Sequence, residues 1–349
     1  MIQEAIYKLV SRTDLTVGEA ASVMEEIMTG MATHSQIGAY LAAMSMKGET
    51  VDEIVGSAQT MRAKAVKINP SVDRLIDTCG TGGDKSNSFN ISTAAAFVVA
   101  GAGIPVAKHG NRSVSSRCGS ADVLEALGVR IDLTPDQTEA AIEQVGIGFL
   151  FAPQYHPAMK HAAIPRREIG IRSIFNILGP LANPAGVKYQ VVGVFSPSIV
   201  RKIADALAML GIERGMVVSG ASGIDEIPCF ETAKACLIDG GNVEEFELDP
   251  RDVGIGMSGS MDAIRGGDAA HNARLILEVL SGRRGVERDV VILNAAAAIF
   301  VAGGVPDLKT GAQVAAESID SGAAMRKLRD LTEFGRSVSS SQACSVGCR

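Results

Sequence analysis

The residues most able to do chemistry stand in the stretch DTCGTGGDKSNSFNIST, from Asp77 to Thr93. Glycines at Gly80, Gly82 and Gly83 would let the backbone approach an anion closely and turn its N–H groups inward. The stretch follows an apolar run and leads into AAAFVVAG, a predicted helix whose N-terminus would also favour negative charge. The spacing matches neither the dinucleotide nor the Walker fingerprint. We therefore predict a phosphate site of a different kind.

Polar side chains follow these glycines and add donors at Ser88, Asn90, Ser92 and Thr93. A serine hydroxyl can also ligate Mg²⁺. A bare GTGG is equally well explained as a flexible turn with an ordinary N-cap. The concentration of hydroxyl and amide groups after the glycines favours the phosphate site.

A second polar segment, KHGNRSVSSRCGSADVLEALG, begins after another apolar run. Lys108, Arg112 and His109 could supply positive charge. Hydroxyl and amide donors come from Asn111, Ser113, Ser115, Ser116 and Ser120. A basic, serine-rich loop is usually solvated surface, but two such loops at neighbouring strand ends could hold a diphosphate between them.

Adjacent carboxylates form the third candidate, Asp225 and Glu226 in ASGIDEIP, directly after the apolar run GMVVSG. Mg²⁺ in proteins binds through one or two carboxylates and keeps water and substrate phosphate oxygens as its other ligands. An acidic dipeptide is common on surfaces. It indicates a metal site only in company with the phosphate loops.

Bulk composition limits the kinds of protein that could carry these residues. Apolar residues make up 46% of the 349 and charged residues 21%, which is typical of a globular protein. The net charge of −6 argues against nucleic-acid binding through the overall field. We find no signal-peptide core and no membrane-length apolar run, and the six cysteines form no CxxC pair. These features predict a cytoplasmic protein with reduced thiols and a frayed Ser/Cys-rich C-terminal tail.

Two kinds of secondary-structure pattern would position the candidates. The first 65 or so residues contain T-x-x-E capping boxes at Thr16 and Thr50, and glycines at Gly30 and Gly48 where helices should stop. From Arg74 onward, short apolar runs alternate with Ala-rich helical stretches, which favours a mostly parallel sheet. The chain is predicted to be α/β with a small helical module at its N-terminus.

Together these segments resemble the anthranilate phosphoribosyltransferase family. The matching motifs are GTGGD and FNIST in the first loop, KHGNRSVSS in the second, the acidic dipeptide, and R-x-x-x-G-x-R-[ST]-x-F-N-x-L-G-P-L-x-N-P from Arg166 to Pro184. The similarity runs in order from Ile2 to about Phe334. Lys85 departs from a position that is often Gly, and Ser120 and Ser173 vary mildly from small residues or Thr. None of these changes removes a charged or metal-binding group.

The resemblance implies the class III nucleoside phosphorylase-like fold. Residues 1–70, joined by middle helices at about 165–190, would form the helical domain, and residues 71–165 and 191–349 the α/β domain. A homodimer through the helical domains is expected. The implied reaction, in tryptophan biosynthesis, transfers the phosphoribosyl group of phosphoribosyl pyrophosphate to the amine of anthranilate and releases pyrophosphate.

The resemblance also implies a set of site residues. Phosphoribosyl pyrophosphate would bind Gly80, Gly83, Asp84, Ser88, Asn90, Ile91, Ser92, Thr93, Lys108, His109, Gly110, Asn111, Arg112, Ser113, Val114, Ser115, Ser116 and Ser120. Anthranilate would bind Gly80, Asn111 and Arg166, although an ion pair with Glu168 or another acid would explain Arg166 without the family. Two Mg²⁺ ions per subunit would lie on Ser92 and on Asp225 with Glu226.

The implied mechanism is displacement at the anomeric carbon through a transition state with oxocarbenium character. Lys108 and the loop N–H groups would stabilise the leaving pyrophosphate. An aromatic amine already has a free lone pair, so no general base is required. The alternatives are a pyrimidine nucleoside phosphorylase, which would not need the two acids, and a non-catalytic relative, which would have lost GTGGD or the acidic pair. We expect neither nucleic-acid nor membrane binding.

Overall fold

A computed structural model describes residues 1–113 and 117–346, with side chains up to residue 338. The N-terminal helices form a bundle. Its members are α1 (Ile2–Val10), α2 (Val17–Met28), α3 (His34–Lys47) and α4 (Val51–Lys64).

Local signals account for the ends of the bundle helices. The predicted capping boxes at Thr16 and Thr50 are confirmed, since each hydroxyl accepts from the backbone N–H three residues on. Thr33 makes a third box that the sequence analysis missed. Gly48 ends α3 at a φ of 88°, which is open to glycine at little cost.

A sheet of seven strands lies beside this bundle in the described residues, in the order β3-β2-β1-β4-β5-β6-β7. Its strands are β1 (Ile76–Asp77), β2 (Val106–Gly110), β3 (Ile147–Phe151), β4 (Tyr189–Gly193), β5 (Arg214–Gly220), β6 (Ala233–Asp239) and β7 (Asn242–Leu248). The pairs from β3 to β5 are parallel, and β6 and β7 are antiparallel. The predicted α/β class with a mostly parallel sheet is confirmed. Strand β7, NVEEFEL, was not predicted because four of its seven residues are exposed and three are glutamates.

The strand order indicates where a ligand would bind. From β1 the chain proceeds outward through β2 to β3, then returns to β4 on the other side of β1. Ligands of open α/β sheets bind at such a reversal, outside the carboxyl ends of the strands. The three candidate segments follow β1, β2 and β5, so all of them leave the sheet at this edge.

Helices cover both faces of the sheet. They are α5 (Ile91–Gly101), α6 (Ser120–Ala126), α7 (Pro135–Val145), α8 (Ala152–Tyr155), α9 (Lys160–Ile169), α10 (Phe175–Leu181), α11 (Val200–Met209), α12 (Ala269–Leu280), α13 (Val286–Val301), α14 (Leu308–Asp320) and α15 (Ala323–Val346). Short 3₁₀ turns occur at Pro157–Met159, Pro197–Ile199, Pro250–Val253 and Met261–Ile264.

Two large apolar cores follow from this arrangement. One lies between the sheet and α5, α13, α14 and α15. The other joins the bundle to α10, α11 and the opposite face of the sheet. Helices α9 and α10 also contact α3 and α4, so the middle of the chain packs on the N-terminal bundle. The predicted frayed tail was wrong for the backbone up to Val346, where α15 ends.

Candidate active site

The glycine-rich loop is tied to two neighbouring strand ends. The Thr81 N–H donates to the Gly193 carbonyl at 2.8 Å, at the end of β4. The Gly82 N–H donates to Asp225 Oδ2 at 2.6 Å, in the loop after β5. Gly82 and Gly83 have φ values of 64° and 72°, which L side chains rarely adopt. The loop therefore keeps a fixed shape at the reversal of strand order.

Glycine at two further positions allows the close approach of these segments. A Cβ on Gly193 would lie 1.6 Å from the Asp225 carbonyl oxygen. A Cβ on Gly80 would lie 2.8 Å from Asp225 Oδ2. Any side chain at either position would displace the acidic dipeptide from the loop.

Arg172 holds the third glycine of the loop. Its Nη2 donates to the Gly83 carbonyl, and its guanidinium lies 3.6 Å from the centre of the Phe195 ring. Its own carbonyl accepts from Ser45 Oγ of α3 at 3.1 Å. Arg172 thus connects the loop to the helical bundle. Arg172 stands in the family motif from Arg166 to Pro184, and no role was predicted for it.

The second half of the loop pairs with a distant segment. Ser88 forms an antiparallel bridge with Arg265, and the Phe89 N–H donates to the Ile264 carbonyl at 2.9 Å. Lys85 has a φ of 65°, which explains why glycine suits its position. Its side chain is exposed.

Helix α5 presents its N-terminus to the cleft. The helix begins at Ile91, three residues before the predicted AAAFVVAG run, with Asn90 as its N-cap. The Ser92 N–H donates to Glu226 Oε1 at 3.1 Å. The acidic side chain therefore occupies a helix terminus that favours anions.

Asp84 approaches the acidic dipeptide, Asp225 and Glu226, at this point. The Asp225 N–H donates to Asp84 Oδ2 at 3.4 Å. Burial, reinforced by the charge of Asp84, raises the pKa of Asp225, and burial with the neighbouring Asp225 raises the pKa of Glu226. A bound cation would relieve the repulsion between them.

The carboxylates and the serine hydroxyl at this point suit Mg²⁺, although they do not form a complete coordination shell. Among the described residues, no three His, Cys, Asp or Glu side chains are gathered in a metal-binding cluster. Two carboxylates, a serine hydroxyl and the oxygens of a bound phosphate would suit Mg²⁺, which takes few protein ligands.

Lys108 supplies the positive charge at the centre of the cleft. It is on β2 and is only 3% exposed. Its Nζ donates to the Thr78 carbonyl at 3.0 Å and contacts Ser92 Oγ at 3.4 Å. The predicted electrostatic residue therefore lies between the glycine-rich loop and the start of α5.

His109, the next residue, carries no charge. Its Nδ1 lies 3.2 Å from the Gly179 carbonyl, and its ring centre lies 5.1 Å from that of His156. Burial lowers the pKa of His109 to about 3 and that of His156 to about 4. The suggestion that His109 adds positive charge for phosphate was therefore wrong, because the interior disfavours the imidazolium.

A buried carboxylate not considered in the sequence analysis supports this strand. Asp77 accepts from the His109 N–H at 3.2 Å and from Asn183 Nδ2 at 2.8 Å. Burial raises the pKa of Asp77 to about 6. An acid at the end of an apolar strand was the available signal, but its partner Asn183 stands 106 residues away.

The polar loop after β2 is closed by Asp122 of α6. Asp122 Oδ2 accepts from the Ser113 N–H at 3.0 Å and from the Gly119 N–H at 2.8 Å. Arg112 binds Asp122 and Glu125, so its guanidinium is directed to α6. The predicted ligands Val114, Ser115 and Ser116 lie outside the described residues.

The other predicted ligands in this loop, Gly110, Asn111 and Ser120, contact one another or their chain neighbours. A Cβ on Gly110 would lie 2.2 Å from Ser120 Oγ, and that hydroxyl donates to the Asn111 carbonyl at 3.3 Å. The Asn111 side-chain oxygen accepts from the Arg112 N–H at 2.7 Å. Ser120 therefore shapes the backbone here.

Arg166 approaches the site from the helical side. It lies on α9 with its guanidinium 4.9 Å from the centre of the Phe175 ring. Burial lowers the pKa of Arg166. Among the described residues, Arg166 forms no ion pair with Glu168 or with another acid, so the alternative explanation was wrong. Phe175 begins α10, the helix whose Gly179 contacts His109.

Known proteins are similar to this chain over nearly its whole length. The description "Glycosyl transferase family, helical bundle domain" matches residues 3–65, and "Glycosyl transferase family, a/b domain" matches residues 72–325. The anthranilate phosphoribosyltransferase of Alkaliphilus metalliredigens (strain QYMF) is 52% identical over 97% of this chain and 99% of its own length. The chain belongs to the anthranilate phosphoribosyltransferase family.

Solved structures of the family agree with the fold. The enzyme from Thermus thermophilus has a TM-score of 0.89 and 41% identity, covering 95% of this chain and 99% of its own. The Saccharomyces cerevisiae enzyme, described in complex with PRPP (phosphoribosyl pyrophosphate) and Mg, has a TM-score of 0.87 and 25% identity, covering 96% and 98%. No described helix of this chain combines the length and apolarity needed to cross a membrane.

The reaction follows from membership of this enzyme family. The family transfers the phosphoribosyl group of phosphoribosyl pyrophosphate to anthranilate, a step of tryptophan biosynthesis, and this chain is an enzyme of that family.

Proposed function

We propose that the cleft at the carboxyl ends of β1, β2, β4 and β5 binds phosphoribosyl pyrophosphate and expels its pyrophosphate. The observation that carries this assignment is the meeting of four features: the glycine-rich loop, the start of α5, buried Lys108 and the Asp225–Glu226 dipeptide. Backbone N–H groups and one buried ammonium are suited to a diphosphate, because they are already oriented and lose little solvation when charge develops.

The leaving group needs the most stabilisation in this reaction. The N–H groups of the Gly80–Asp84 loop other than those of Thr81 and Gly82, which bond Gly193 and Asp225, would donate to it. Lys108 would add charge while Thr78 holds its ammonium in place. We propose two Mg²⁺ ions per subunit, one on Ser92 and one on Asp225 with Glu226, which would neutralise the charge that develops on pyrophosphate.

The acceptor would lie between the cleft and the helical side. Arg166, fixed against Phe175, offers a planar guanidinium to the carboxylate of anthranilate, with Asn111 and the Gly80 backbone beside it. Neutral His109 and His156 supply no charge that would compete for that carboxylate. The aromatic amine attacks with its own lone pair, so positioning suffices and no general base is assigned.

Assembly and domain boundaries are also proposals. We assign residues 1–70 and about 165–190 to the helical domain, and 71–165 and 191–349 to the α/β domain. Large exposed apolar side chains are concentrated on the helical side, at Tyr7, Val10, Met31, Met46 and Ile164. A symmetric dimer through these helices would cover such side chains. A cytoplasmic location remains a prediction from the sequence.

The test follows anthranilate by its fluorescence in the presence of phosphoribosyl pyrophosphate and Mg²⁺. The wild type should consume anthranilate only when the diphosphate is present. The double variant Asp225→Asn, Glu226→Gln should lose at least about 100-fold in rate, because it removes both carboxylates of one metal site.

A matched control keeps the same change in charge. Glu244→Gln with Glu247→Gln removes two exposed carboxylates from β7 and should leave the rate within about twofold. Folded wild-type protein that consumes no anthranilate would overturn the assignment. If it instead cleaves a pyrimidine nucleoside with inorganic phosphate, the phosphorylase alternative would replace it.

A further inference from the structure

A buried asparagine that belongs to no predicted site bonds Asn90, the residue just after the glycine-rich loop. Asn272 lies on α12, one turn from its start, and is 2% exposed. Its Oδ1 accepts from the Gly267 N–H at 2.7 Å. Its Nδ2 donates to Asn90 Oδ1 at 2.9 Å. Asn90 is the N-cap of α5, directly after the glycine-rich loop.

The direction of this hydrogen-bond relay is set at both ends by the backbone. The Gly267 N–H can only donate, so the oxygen of Asn272 must face it and the NH₂ of Asn272 must face Asn90. At the other end Asn90 Nδ2 donates to the Cys118 carbonyl at 3.2 Å, and a carbonyl can only accept. Flipping either amide would set two donors or two acceptors against each other.

The relay determines what Asn90 offers to a ligand. Its amide oxygen is engaged by Asn272, and one of its two Nδ2 hydrogens is engaged by Cys118. Within the described part of the chain, no acceptor engages the second Nδ2 hydrogen, which can therefore donate to a ligand. Asn90 makes no side-chain hydrogen bond to cap α5, so its amide is not used to hold the helix start. A donor is the group that an anionic phosphate or a ribose oxygen requires.

Three segments of the cleft meet through this relay. Asn90 follows the glycine-rich loop, Cys118 follows the polar loop after β2, and Asn272 comes from α12. The residues joined by the Asn272 bond stand 182 positions apart. A side chain that only stabilised the start of α12 would need no bond to Asn90.

We propose that Asn272 is a positioning residue for phosphoribosyl pyrophosphate, which acts by fixing the amide of Asn90 as a hydrogen-bond donor toward the bound substrate. The inference rests on the proposed function, because it takes Asn90 as a ligand of that substrate. Asn272 itself touches no substrate.

Two variants test the donor. Asn272→Asp has the same shape and still accepts from Gly267, but it cannot donate to Asn90. Asn272→Ala removes the donor without adding charge. Both should raise the KM for phosphoribosyl pyrophosphate about tenfold, since a hydrogen bond to a charged ligand is misplaced. The kcat and the KM for anthranilate should stay within about twofold, a split that loss of stability alone would not produce.

Asn90→Ala separates this inference from the proposed function. It should itself raise the KM for phosphoribosyl pyrophosphate, and adding Asn272→Ala to it should cost nothing more, because the relay then has no end point. An unchanged KM in Asn90→Ala would overturn the ligand assignment of Asn90 and the positioning role with it. A raised KM in Asn90→Ala with an unchanged KM in both Asn272 variants would overturn the positioning role alone.

A full additional loss in the double variant would also overturn the role of Asn272. Should the Asn272 variants fail to fold, ¹⁵N-asparagine labelling of the wild type decides instead. The Asn90 side-chain amide should give one pair of proton signals, one of them protected from exchange, and both should shift when phosphoribosyl pyrophosphate and Mg²⁺ are added. Rapid exchange of both protons, or no shift, would contradict the proposal.

Discussion

The buried residues His109 and His156 should each contribute a loss of stability in mild acid, opposed by the gain from buried carboxyls such as Asp77, whose pKa is raised. Both rings are under 5% exposed and packed together, with centres 5.1 Å apart. For His156, the exclusion of solvent outweighs its backbone contact with Ala182, which would favour the charged ring. An imidazolium at either position would therefore be both desolvated and close to a second imidazole.

The size of the effect follows from the lowered pKa values. The folded pKa of His156 is about 4 against an ordinary value of 6.5. Between these values the unfolded chain binds a proton at His156 that the folded chain does not, so the contribution of His156 to the free energy of unfolding falls as the pH falls from 6.5 toward 4. At about pH 5 this linkage costs roughly 2 kcal/mol relative to pH 7, and His109, with a folded pKa of about 3, costs about the same.

The perturbation is His156→Leu, which removes one titrating ring from the interior. The free energy of unfolding is measured by urea titration at about pH 7, 6 and 5. The variant has its own stability at pH 7, but its change in stability from pH 7 to pH 5 should be more favourable than the wild-type change by about 2 kcal/mol. His34→Leu, which removes an exposed ring, should keep the wild-type change. Equal changes in wild type and His156→Leu would refute the reasoning.

Three further substitutions test the cleft. Arg172→Ala should raise the KM for phosphoribosyl pyrophosphate about fivefold in steady-state assays, because the Gly83 carbonyl loses its donor. Gly193→Ala should lower the melting temperature by more than about 5 °C in calorimetry, because its Cβ would lie 1.6 Å from the Asp225 carbonyl. Arg166→Ala should raise the KM for anthranilate at least about tenfold and leave that for phosphoribosyl pyrophosphate unchanged, since only the carboxylate of the acceptor loses its partner.

Each substitution has its own comparison. Arg172→Lys restores a donor but not the flat contact with Phe195, so it should recover part of the KM, and no recovery would contradict the hydrogen bond. Gly18→Ala, where a Cβ would meet nothing within 4 Å, should leave the melting temperature within about 2 °C. A rise of both KM values in Arg166→Ala would show that Arg166 shapes the cleft and does not bind anthranilate alone.

Patterns within the sequence were enough for the local structure and for the chemistry of the loops. The capping boxes at Thr16 and Thr50, the strand ends and the glycines of GTGG depend on neighbours a few positions away, so they could be read directly. The mostly parallel sheet followed from the alternation of apolar runs and helices. Strand β7 was not predicted because an exposed edge strand has few apolar residues and so lacks a clear hydrophobic pattern.

Only the tertiary structure decided the state of the side chains in the cleft. Burial made His109 neutral, although its neighbours Lys108 and Arg112 suggested a basic cluster. Arg112 turned to two acids of α6, and Asn272 set the amide of Asn90 from 182 residues away. Charge and hydrogen-bond direction depend on solvent exclusion and on partners distant in the chain, and neither is encoded in local spacing.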